Sequence, residues 1–161
     1  MANNRLVDNA KIVFGAPAKD YSGAANTEKY VSLENYNHCT IILQCGAWAG
    51  GTAAVTVNQA TDTAAASAKA LGFGIQFTNR SNTSTDTLVE TTVTSNTFNL
   101  NTANAVYVIE LDAATLDVRN SFNSIAVEIG SPGVNADLYS VTYILSQPRY
   151  ASQVSSMPSA L

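Results

Sequence analysis

The chain has 161 residues, of which 46% are hydrophobic and 12% charged, and its formal net charge is −4. That length suits one domain with a continuous core, and the charged share is about half the usual ~25%. The eight Lys and Arg residues are scattered singly, so no basic stripe is available to neutralise phosphates, which excludes direct nucleic-acid binding. Thr, Asn, Ser and Ala fill the places that charges normally take. A surface so weakly charged packs against another protein with little desolvation cost. No run of about 18 apolar residues is present, so no membrane-spanning helix is expected. Met1–Asp20 is polar and gives no sign of a signal peptide.

In chain order, residues 1–27 read as an N-terminal arm, polar and rich in small residues, with one apolar patch at Lys11–Phe14 able to pair as an edge strand. Lys29–Leu33 is a short strand candidate. Cys39–Cys45 alternates, with Cys39, Ile41, Leu43 and Cys45 on one face and Thr40, Ile42 and Gln44 on the other. On one strand the two cysteines stand roughly 20 Å apart, well beyond the ~7 Å that a disulfide tolerates. They are therefore expected as buried free thiols, as in a reducing compartment.

Gly46–Gly51 interrupts the pattern, and Ala53–Gln59 resumes it around Val55 and Val57. Thr61–Ala70 is Ala-rich, but its apolar positions are too small for a helix to bury much, so it reads as a loop. Ala70–Asn79 has the cleanest period of two, with Leu71, Phe73, Ile75 and Phe77 facing one way. Thr87–Val93, Thr97–Leu100, Val106–Leu111, Ser124–Ile129 and Ala136–Ser146 follow as strands. Between Val106–Leu111 and Ser124–Ile129, Asp112 is a possible N-cap for one short helical turn. Residues 148–161 read as a C-terminal tail.

The pattern predicts an all-β fold, a β-sandwich or jelly-roll-like antiparallel domain over residues 28–147, with extended N- and C-terminal arms. No amphipathic helix of ten or more residues separates any strand pair, so βαβ units are excluded.

Candidate chemistry is sparse. The lone histidine, His38, lacks an activated nucleophile, because its neighbour Cys39 points to the opposite face of the strand. A strand-end histidine satisfied by backbone or water is expected. One His and two distant Cys cannot build a tetrahedral zinc site. Asp112, Asp117 and Asn120 lack the ordered spacing of an EF-hand loop and read as capping and turn residues. The glycines around Trp48 lead into a strand and lack the Gly-Lys-Ser/Thr end of a phosphate loop. Trp48 reads as a lid over the core or as an exposed interface anchor. Glu90, Glu110 and Glu128 fall one per strand with no partner signal and read as solvated positions. No catalytic residue, metal or cofactor is expected.

The stretch Tyr36-Asn37-His38-Cys39-Thr40, followed by Gly46-Ala47-Trp48-Ala49-Gly50-Gly51-Thr52-Ala53-Ala54-Val55 and Gln59-Ala60-Thr61-Asp62, resembles small virion proteins of tailed bacteriophages and prophages. Thr97-Phe98-Asn99-Leu100, Ala136-Asp137-Leu138-Tyr139 and Pro148-Arg149-Tyr150-Ala151 add to the likeness, which spans most of Tyr30–Ala151. The group resembles head decoration, or cement, proteins.

The resemblance implies a non-enzymatic, capsid-associated subunit on the virion exterior, made in the cytoplasm of a host bacterium. Its partners would be the major capsid protein and copies of itself, as a dimer or trimer, with no membrane. From the sequence, Lys11, Ile12, Val13, Phe14, Trp48, Arg149 and Tyr150 are the candidate interface residues, since arms add reach and multivalency. Two other readings stand beside it. One is a tail or head–tail connector protein. The other is a carbohydrate-binding module, which would need a row of exposed aromatics, with Tyr139 and Tyr143 as candidates.

Overall fold

The computed structural model describes residues 5–80, 86–150 and 159–161. Residues 1–4 and 151–158 of the two expected arms lie outside the described residues. A one-turn helix, α1 (Leu6–Asn9), precedes twelve strands: β1 (Ala10–Asp20), β2 (Asn26–Thr27), β3 (Val31–Ser32), β4 (Tyr36–Trp48), β5 (Ala53–Ala60), β6 (Lys69–Leu71), β7 (Ile75–Arg80), β8 (Val89–Thr92), β9 (Phe98–Leu100), β10 (Ala105–Asp112), β11 (Ser124–Ile129) and β12 (Asp137–Pro148).

All described pairings are antiparallel, and the strands form two packed sheets, so the chain is an all-β sandwich. The first sheet runs β1-β12-β4-β10-β7-β8. The second runs β2-β11-β5-β6, with β3 also on β11 and β9 also on β5. Period-two alternation sends one face of each sheet inward. Ile41, Leu43, Ile109, Val141 and Tyr143 of the first sheet meet Val55, Val57, Ile125, Val127 and Ile129 of the second, and all are fully buried. The Tyr143 hydroxyl accepts a hydrogen bond from the Val127 N–H across the sandwich (3.1 Å), a buried pairing that ties the two sheets together.

Cys39 and Cys45 both point inward from β4 as free, buried thiols. Burial pushes the Cys39 thiol far up, and the Cys45 thiol up to about 12.

Three expectations are corrected. First, residues 10–27 are not an arm. β1 pairs with β12 from Ala10 to Asp20, and β2 pairs with β11. Gly15 permits this docking, because a β-carbon there would come within 2.8 Å of the Tyr143 ring. Second, the C-terminal tail returns to the body: Ala160 is fully buried and its carbonyl accepts from the Ser32 N–H (2.9 Å).

Third, Ala70–Asn79 is two strands in different sheets, β6 and β7. Gly72 and Gly74 offer no side chain to pack and mark the crossing. The inward face changes there. Leu71 and Phe73 lie in the core, but beyond the crossing Gln76 and Thr78 face inward while Ile75 is 44% exposed. The Thr78 hydroxyl donates to Gln76 Oε1 (2.6 Å), satisfying both inside.

Candidate interaction face

The outer face of the first sheet is built by strand register. One cross-strand row passes through all six strands: Phe14, Thr142, Ile42, Val108, Phe77 and Glu90. The next row carries Ile12, Ile144, Thr40 and Glu110. The centre of the face is therefore apolar. Phe14 and Ile12 are 59% and 51% exposed, and Ile42, Ile144 and Phe77 are half-buried. Apolar side chains on an uncovered sheet face are informative when they are contiguous, and these are neighbours in register.

The two ends of the face differ in chemistry. At one end His38 lies opposite Asp112, and Thr40 opposite Glu110. The His38 ring is clamped between carboxylates, with Nδ1 at 2.9 Å from Asp112 Oδ1 and Nε2 at 2.5 Å from Glu110 Oε2. The Thr40 hydroxyl donates to the same Glu110 oxygen (2.8 Å). Partial burial lowers the His38 pKa. The hydrogen bonds to Asp112 and Glu110, with their charges, outweigh it, and the net shift is upward. A ring with an acceptor at each nitrogen is satisfied as the imidazolium, which donates from both.

At the other end, Ser140, Gln44 and Asn79 share the row of Val106 and open onto a shallow groove that Asn104 also lines. Among the described residues, no charged side chain lines it.

The histidine was expected to be satisfied by backbone or water, and Glu110 to be solvated. Both are corrected by pairing. Which strand neighbours β4 is a long-range choice that period-two alternation does not encode. Glu128 also has a partner, accepting from Asn58 Nδ2 (2.8 Å). Asp112, Asp117 and Asn120 do not converge on one point. Asp112 turns to His38, while Asp117 pairs with Lys69 and accepts from Asn120. The region between β10 and β11 holds two short 3-10 turns, Ala113–Thr115 and Val118–Asn120. Asp112 precedes the first without a side-chain cap.

The expected interface residues divide. Ile12 and Phe14 share the outer face. Val13, between them, points into the core at 4% exposure and is withdrawn as a contact residue, because neighbours on a strand face opposite ways. Lys11 shares the inward parity of Val13 and is half-buried opposite Leu145.

Trp48 closes β4 as a partly buried lid on the core, its indole N–H donating to the Gly51 carbonyl (3.2 Å). The loop behind it is held by buried Asp137, which accepts from the Ala49 N–H (2.7 Å). Arg149 and Tyr150 are exposed just beyond the opposite end of β4, where Pro148 pairs with Tyr36. Thirteen residues of strand separate the two ends by roughly 40 Å, so Trp48 and Arg149 cannot form one contact. Tyr139 and Tyr143 are 1% and 0% exposed and provide no aromatic platform for a sugar.

Among the described residues, no group of three or more His, Cys, Asp or Glu could hold a metal ion. None of the described helices is long and apolar enough to cross a membrane. No protein-family model matches the sequence, and no curated protein is similar to it. The crystal structure of the SPBc2 prophage-derived protein YomS is similar in architecture, with a TM-score of 0.45 and 10% identity, covering 86% of this chain and 94% of that one.

Proposed function

We propose that this protein is a structural, non-enzymatic virion subunit of a tailed phage, bound to the outside of the capsid as a decoration protein. The observation that carries the reading is the contiguous apolar outer face of the first sheet, centred on Phe14, Ile12, Ile42 and Ile144. The sparse charge of the chain and the resemblance around Gly46–Val55 support it. A subunit that binds the assembled shell and not its dissociated parts stabilises the shell by mass action. The strap that would grip the shell is then the sheet face and the edge strand β1, in place of a loose N-terminal arm.

The test is co-sedimentation of the purified protein with capsids of the phage that encodes it, together with its copy number per particle. Saturable binding in hundreds of copies, lost in Phe14→Glu, is the expected result. A dozen copies or fewer would replace this reading with a connector or tail role. No sedimentation at all would remove the virion reading.

A further inference from the structure

Between β1 and β3 the chain leaves the first sheet and joins the second, closing one side of the sandwich. Tyr21 stacks on Tyr139 at this seam, with ring centroids 4.0 Å apart. Lys19 Nζ sits 4.8 Å above the Tyr21 ring. The Glu28 N–H donates to the Val127 carbonyl (2.8 Å), so its backbone is fixed on β11. The Glu28 side chain is only 6% exposed. Its Oε1 accepts from Asn26 Nδ2 (2.6 Å). The Tyr139 hydroxyl is buried nearby, and Asn26 reaches toward it without completing a well-formed hydrogen bond. A carboxylate in such a place has given up water for one amide donor and a cation held over a ring.

We infer that Glu28 is a proton-operated latch: as the neutral acid it closes the seam of the sandwich, and on ionising it loosens the segment that carries β2 and β3.

The groups that face it are Lys19 on β1, Tyr21 on the crossing, and Tyr139 and Tyr143 on β12. Glu128 of β11, next along from Val127, is engaged with Asn58. Lys19 is the nearby cation and favours the ionised form. Burial opposes that form more strongly and pushes the Glu28 carboxyl up to about 7, against the pull of Asn26 and Lys19. The folded chain thus binds this proton more tightly than the open segment does. The contribution is complete below the ordinary carboxylate range and is lost as pH rises toward 7. The rest of the segment is held by the buried Val31 and Leu33 and by backbone bonds from Ser32 to Ala160 and from Leu33 to Asn123, so ionised Glu28 loosens the segment without releasing it outright.

The experiment is amide hydrogen exchange on the full chain from pH 5 to pH 8, corrected for the intrinsic rate. Amides of Asn26–Leu33 are followed in the wild type, Glu28→Gln and Lys19→Met. The expected result is that opening of Asn26–Leu33 increases about tenfold between pH 5 and pH 6 and levels off above pH 7. Glu28→Gln should abolish the dependence. Lys19→Met, at an exposed position, should move it to higher pH. A flat wild-type profile, an unchanged dependence in Glu28→Gln or an unmoved step in Lys19→Met would each overturn the latch.

Discussion

Gly51 and Pro132 lie in backbone contact: a β-carbon on Gly51 would fall on the Pro132 carbonyl oxygen. Gly51 also has φ of +84°, a region that side-chain-bearing residues avoid. The loop after Trp48 therefore needs glycine twice over, for its conformation and for its space. Gly51→Ala should destabilise the protein by about 2–4 kcal/mol, read as a shift in urea midpoint. Gly133 provides the control. Its φ is +101°, but a β-carbon there meets nothing, so Gly133→Ala should cost only the conformational part, about 1–2 kcal/mol. Equal losses in the two variants would show that crowding against Pro132 is unimportant.

The clamp on His38 predicts a pH dependence opposite to that of a buried neutral histidine. Its partners hold the folded pKa above the ordinary value. The stabilisation is full below about pH 6.5 and is lost as pH rises through the folded pKa. The pair is partly solvated, with Glu110 and Asp112 side chains 41% and 68% exposed, so its size should stay within about 1 kcal/mol. His38→Asn should remove this step from the stability profile between pH 6 and 8. An NMR titration of the ring with a midpoint at or below the free-histidine value would contradict the clamp.

Adjacent positions on β1 should behave in opposite ways. Ile12→Glu and Phe14→Glu add charge to the outer face and should leave the urea midpoint within about 1 kcal/mol of wild type while abolishing capsid attachment. Val13→Asp places a carboxylate in the core and should cost about 3 kcal/mol or more. Deleting residues 1–20 confounds the two effects. It strips β12 of one of its two strand partners along with the proposed contact, and the protein should lose cooperative unfolding as well as binding.

Much of the sandwich is legible before any coordinates. β4 from Cys39 onward and β12 alternate cleanly because one face of each is filled largely by Ile, Leu, Val and Tyr, and burial follows that pattern; β11 alternates in sequence too, but Ser124 and Ala126 on its other face are also buried. β1 reads short because Gly15, Ala16 and Pro17 blur its alternation, although Ala16 is fully buried. β6 and β7 merge because their apolar residues keep a period of two straight through Gly72 and Gly74, while the sheet they belong to changes. The outer face is harder still to read. Ile12 and Phe14 stand out as apolar, but their continuation into Ile144 and Ile42 depends on β12 lying between β1 and β4. The His38 clamp depends in the same way on β4 lying beside β10, a pairing between residues more than 70 positions apart. Alternation within one strand carries no information about either choice.

The two inward-facing thiols of β4 make the sandwich its own reporter. A thiol-specific reagent reacts with the thiolate, a form that burial suppresses at both cysteines, and the two residues are only 0% and 3% exposed. Labelling at Cys39 or Cys45 therefore counts the moments when the two sheets part, and the ratio of the two rates tells which end of the central strand opens first.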